Sequence, residues 1–197
     1  MEDLPTPYRR ATPDDAPALA DLVDIAGEGL PSHPWAQMAE EGETAVHVGR
    51  RRARREAGSF SYRKAVVADP GPGVEAALAG YPSPDAPEPI PDDLPAMFVP
   101  MQELENLACG TSYVNVLATY PECRGHGHGS RLPRIAQPLA MAAECRGPSI
   151  IVADTNLGAW RLYERSGFRP MASRRMLKEG GAGPGENFLL LIQEATT

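Results

Sequence analysis

"YVNVLATYPECRGHGHGSRL", residues 113–132, runs an apolar stretch into an arginine and three glycines at alternate positions, Gly125, Gly127 and Gly129. Glycine costs folding entropy, so such a cluster marks backbone at positive φ or another group lying close against the main chain. The β-branched and aromatic residues before Pro121 predict a strand, and the residues from Gly129 predict a helix over about 129–145. Leu132, Ile135, Ala136, Leu139 and Ala143 share one face of that helix, while Pro133 is tolerated near its start and Pro138 should kink it. "SIIVADTN" then reads as a second buried strand, which makes the order strand, glycine loop, helix, strand: a βαβ unit. Loop amides and the positive end of the helix form a ready anion site, and side chains at the three glycines would only block a phosphate.

Two phosphate-binding patterns compete for this loop. A triphosphate loop needs Gly-Lys-Ser/Thr at the helix start, and here Gly129-Ser130 stands without the lysine. A dinucleotide fingerprint needs G-x-G-x-x-G, whereas Gly127 is followed by Gly129, and the N-terminal half lacks repeated βα units.

Residues 7–11 predict a short first strand, and "TPDDAPALADLVDIAG" a helix with Thr12 as N-cap and Pro13 in its first turn. Leu19, Leu22 and Val23 form its apolar stripe, and Gly27 and Gly29 end it. A second helix is expected over about 34–57, its arginine-rich end forming a solvated face favoured by the helix dipole. "SFSYRKAVVAD" and "VEAALAGY" read as antiparallel strands joined by the turn "PGPG". The segment 82–95, with six prolines in 14 residues, excludes regular helix or central strand and predicts a mobile surface loop. A helix around Met101, Leu104 and Leu107 precedes the central strand. "LGAWRLYERSG" is a short helix ended by Gly167, and "FRPMASRRML" and "NFLLLIQ" close the chain as two strands around a glycine-rich hairpin loop.

The bulk numbers suit one soluble domain over 6–197: 197 residues, 42% hydrophobic and 23% charged. A net charge of −7 argues against nucleic-acid binding, which wants a basic footprint, and is compatible with a cationic small substrate. No stretch approaches a membrane span or a signal peptide. Three cysteines without metal-ligand spacing imply no disulfide framework, so a cytoplasmic location is expected.

The stretch above, followed by "VADTNLGAWRLYERSGFRP", resembles the two central motifs of the GNAT superfamily of acyl-CoA-dependent N-acyltransferases. The Arg/Gln-x-x-Gly-x-Gly/Ala signature is met by Arg124, Gly127 and Gly129, and the second motif by Asn156, Ala159, Leu162, Tyr163, Gly167 and Phe168. The sequence departs from the pattern in carrying two prolines in the helix and His126 and His128 in the loop. The resemblance implies an α/β (α+β type) fold with a central mixed, mostly antiparallel sheet flanked by helices. Acetyl-CoA would be the cosubstrate, its diphosphate on Arg124, Gly125, His126, Gly127, His128, Gly129 and Ser130. Its pantetheine arm would run along Val116, Leu117 and Ala118 like an added strand. Asn156 and Tyr163, seven residues apart on one helical face, would point at the same cleft.

The expected activity is transfer of an acetyl group to a primary amine of a small molecule or peptide, with a non-catalytic acyl-CoA-binding module of the same fold as the alternative. A homodimer is compatible with either. Tyr163 is the candidate acid for the departing thiolate, and core packing is its competing role. Glu103 and Glu105, before the central strand, are the candidate bases, although helix acids are usually solvated. Asn115 is placed to meet the acceptor. His126 and His128 lack a third ligand nearby in sequence, so no metal is expected, and Cys123 has no His–Asp partner in sequence to make it a nucleophile.

Overall fold

In the computed structural model, which describes residues 4–177 and 185–194, the chain divides into two compact units. One draws on the chain up to Tyr81 and on Asn115–Leu132, the other on Pro82–Val114 and the chain from Pro133 onward. Seven strands make a mixed sheet flanked by helices, the fold class expected.

In the first unit, β1 (Tyr8–Arg10) pairs antiparallel with β2 (Ala65–Ala68), and β2 with β3 (Ala76–Pro82). The expected "PGPG" turn joins β2 to β3, with Gly71 and Gly73 both at positive φ. Thr12 caps a single 3-10 turn (Pro13–Asp15) that runs into α1 (Ala16–Ala26), with Gly27 at its C-terminus as predicted. Leu19 and Leu22 are fully buried in a core with Val67, Ala77, Val116 and Ala118.

The single helix expected over 34–57 is two: α2 (Ser32–Gln37) and α3 (Ala45–Ala53). Gly42 at φ +81° turns the chain between them, and the Thr44 hydroxyl accepts from the His47 amide at 3.4 Å to start α3 afresh. The break lets Trp35 of α2 lie against α3, where a Cβ on Gly49 would come within 2.6 Å of the indole ring. Trp35 also stacks on Phe60, with centroids 6.0 Å apart. The strand expected from Ser59 is shorter than its alternation suggested. Ser61 caps a 3-10 turn (Tyr62–Lys64) by accepting from the Arg63 amide, and β2 begins only at Ala65.

Asp15 ties this end of the unit together. Its carboxylate accepts from the Thr12 amide at 2.7 Å and from both Arg9 Nη atoms at 2.7 and 2.9 Å, while Arg9 also reaches Asp69 at 2.7 Å. Asp15→Ala removes a helix cap and half of a partly buried ion pair. Asp69 keeps the other half, so the expected loss in urea unfolding is about 2 kcal/mol. Burial by itself would raise the Asp15 pKa, but the bonds from Arg9 and Thr12 outweigh it and hold the group below the ordinary carboxylate value. A depressed folded pKa gives stability that is present above the unfolded value and lost as pH falls through the folded one. The mutant's deficit should therefore shrink below about pH 4, near the unperturbed aspartate value.

In the second unit, α4 (Val99–Leu107) leads to the start of β4 (Ser112–Thr119). β4 pairs parallel with β5 (Pro148–Ala153) through Ser112↔Pro148, Tyr113↔Ser149 and Val114↔Ile150. β5 then pairs antiparallel with β7 (Asn187–Ile192), and β7 with β6 (Arg169–Arg175). The glycine-rich hairpin loop expected between β6 and β7 falls largely on residues outside those described. α5 (His128–Ala142) carries both Pro133 and Pro138 within its span. α6 (Leu157–Arg165) follows β5, with Gly167 at φ +97° beyond its end.

The proline segment is exposed over 84–89, as expected of a surface loop. It is also tied down: the Ser83 amide donates to the Thr111 carbonyl at 2.7 Å, and Asn106 bonds the Glu88 amide and carbonyl at 3.2 and 2.8 Å.

Candidate acyl-CoA site

Beyond β4, Pro121–Cys123 make a 3-10 turn and Arg124 is extended, before Gly125 at φ +90° and Gly127 at φ +88° bring the chain into α5. Side chains rarely tolerate that backbone, so two of the three glycines answer to conformation. Gly129 does not, because it is already helical. A Cβ at Gly125 would meet nothing within 4 Å, so packing does not demand a glycine there and the space over the loop is open. The Gly127 carbonyl accepts from the Ser130 amide at 3.2 Å, the Ser130 hydroxyl at 2.9 Å and the Arg131 amide at 3.3 Å, which fixes the first turn. The amides ahead of that turn have no helical acceptor by geometry, and the dipole makes them electropositive. Arg124 and the loop from Gly125 to Gly127 are exposed.

His126 and His128 have a partner that the sequence reading missed. Glu75 Oε2 lies 2.8 Å from His126 Nδ1 and 2.7 Å from His128 Nε2. Glu75 stands 51 residues before His126, at the end of the β2–β3 turn, so no local spacing could reveal it. His128 is buried, and its Nδ1 lies 3.0 Å from the Tyr8 hydroxyl. Within the same unit, Val116 and Ala118 bury their side chains while Leu117 is half-buried. Asn115 Oδ1 is buried without a hydrogen-bond partner among the described residues.

The remaining candidates belong to the second unit. Asn156 is the N-cap of α6, with φ −79° and ψ 62°, and its Oδ1 accepts from the Ala159 amide at 3.2 Å. It precedes the helix, so the expected two-turn spacing with Tyr163 does not put both on one helical face. Tyr163 is 5% exposed, and its ring packs on Phe168 with centroids 5.9 Å apart. Burial pushes its phenol pKa up, which keeps the proton on oxygen at neutral pH. Glu103 Oε2 already accepts from Arg174 Nε at 2.6 Å, so that oxygen is not free for a substrate proton; Glu105 is half-buried on α4. The three cysteines are free thiols, and burial, then Glu75 and Glu122, raise the Cys123 thiol pKa, the reverse of an activated nucleophile.

Among the described residues, no helix is long and apolar enough to cross a membrane. No curated protein sequence matches the chain. Solved structures do. An acetyltransferase is 18% identical at a TM-score of 0.67, covering 95% of this chain and 98% of its own. An N-acetyltransferase from Staphylococcus aureus Mu50 is 15% identical at 0.66, over 94% and 98%. A Bacillus subtilis acetyltransferase in complex with CoA is 15% identical at 0.55, over 96% and 97%. The sequence pattern of the acetyltransferase (GNAT) family matches residues 96–168, a span that holds the glycine loop, Asn156 and Tyr163. That segment is therefore similar to the GNAT acetyltransferase family, and the chain as a whole has the fold of these solved acetyltransferases.

Proposed function

We propose that the protein is an acetyl-CoA-dependent N-acetyltransferase that passes an acetyl group directly to a primary amine. The observation that carries this reading is the loop at the start of α5, where Gly125 and Gly127 hold positive φ and open space lies over the chain. Such a loop suits a diphosphate bound by amides and a helix N-terminus. A CoA complex of a protein with this fold supports the choice of anion. The paired part of the parallel β4–β5 ladder ends at Val114, so the backbone of Val116, Leu117 and Ala118 lies beyond it. Those groups are the proposed hydrogen-bonding edge for the pantetheine arm.

When bound, acetyl-CoA supplies an activated thioester carbonyl. The protein holds that carbonyl and the amine together and offers a β4 amide to its oxygen. As the new C–N bond forms and the C–S bond breaks, Tyr163 gives its phenolic proton to the leaving sulfur. The amine must also lose a proton. Glu103, Glu105 and water are the proposed acceptors, Glu103 being ion-paired with Arg174.

The test is an acetyl-CoA consumption screen over small amines, amino acids and peptides with free N-termini or lysines. Acetylated amine formed in step with free thiol supports the reading. CoA binding without turnover on any amine would instead favour the non-catalytic acyl-CoA module.

A further inference from the structure

We propose that Glu75, His126 and His128 form a binding site for a divalent transition-metal ion of the zinc class. Two imidazole nitrogens converge on one carboxylate oxygen, His126 Nδ1 at 2.8 Å and His128 Nε2 at 2.7 Å, and one ligand atom from each residue lies within 4.8 Å of the others. Metal–ligand bonds of about 2.0–2.2 Å place ligand atoms roughly 3–3.5 Å apart, so an ion would widen the two oxygen–nitrogen separations by about half an ångström and draw on two nitrogens that already lie within 4.8 Å of each other.

The opposite side of the buried ring is also in place. A ligating histidine holds its orientation by donating from its other nitrogen. Here Nδ1 of His128 faces the Tyr8 hydroxyl at 3.0 Å, and the rings of Tyr8 and His128 meet edge-on with centroids 5.8 Å apart. Binding through Nε2 would replace the proton now shared with Glu75 and put one on Nδ1, where the Tyr8 hydroxyl can accept it. Two nitrogens and one oxygen suit zinc and its neighbours, whereas calcium and magnesium prefer all-oxygen sets. Three protein ligands leave a fourth position for water. The ion would tie the turn that ends at Glu75 to the start of α5, holding the glycine loop in one shape.

The test reads the ion itself, so it is independent of any acyl transfer. Full-length protein stripped with chelator is titrated with Zn²⁺ by calorimetry, and with Co²⁺ by visible absorption. One equivalent should bind, and Co²⁺ should show the absorption of a four-coordinate site. Glu75→Gln and His126→Gln should each weaken binding by about 10-fold or more, and Tyr8→Phe by about 10-fold, since losing even an outer-shell partner costs roughly 10–100-fold. His126 has an exposed side chain, so its variant tests the site without disturbing the core. His47→Gln should leave binding unchanged. Absence of a one-equivalent binding event overturns the proposal, as does binding that survives both Glu75→Gln and His126→Gln.

Discussion

Gly127→Glu should abolish CoA binding while leaving the protein folded. Gly127 sits at φ +88°, where any side chain is strained by roughly 1–2 kcal/mol, so the comparison that isolates charge is Gly127→Ala, which carries the same strain. A carboxylate near 4 Å from a phosphate costs about 4 kcal/mol at an effective dielectric of 20, which is more than a 10²-fold loss of affinity. Calorimetry should therefore show weakened binding for the alanine variant and none for the glutamate variant. Equal affinities for the two would mean that no phosphate approaches this turn.

Tyr163→Phe should keep CoA affinity and lower kcat by on the order of 10²-fold, the lower range for a lost general acid. The variant keeps the ring on Phe168 and removes only the hydroxyl, so unfolding free energy should stay within about 1 kcal/mol. Burial raises the phenol pKa, and a raised value keeps the acid form until the pH passes it. The wild-type rate should therefore not fall as the pH rises through about 10, the ordinary phenol value, on account of this group. The mutant's defect should shrink with a more acidic leaving thiol, which needs less proton transfer. Full turnover by Tyr163→Phe would leave the residue as a packing tyrosine and water as the acid.

Where local rules sufficed, the sequence was readable. Thr12 followed by Pro13 announces a helix start through its own capping chemistry, and Gly125 and Gly127 announce positive φ because few other residues take it. The strands flanking the glycine loop could be read from β-branched runs. The break between α2 and α3 was hidden because alanines and glutamates (Ala36, Ala39, Glu40, Glu41, Glu43 and Ala45) continued a helical composition across Gly42 and Thr44. Gly42 at positive φ and the Thr44 cap separate the two helices, and the packing of Trp35 against Gly49 accompanies the break. Asn156 looked like a helical residue from its spacing to Tyr163, but asparagine at a helix start prefers the cap, and its oxygen is turned to the Ala159 amide. The third partner of His126 and His128 is a product of the β2–β3 turn meeting the loop, and no one-dimensional spacing encodes it.

Backbone hydrogen exchange with and without CoA reads the loop directly, residue stretch by residue stretch. CoA should slow exchange in peptides covering Val116–Ala118 and Gly125–Ser130, whose amides would donate to the pantetheine arm and the diphosphate, and should leave α3 and β6 unchanged. CoA binding with no protection anywhere in 116–130 would contradict the assignment of this loop as the acyl-CoA cradle.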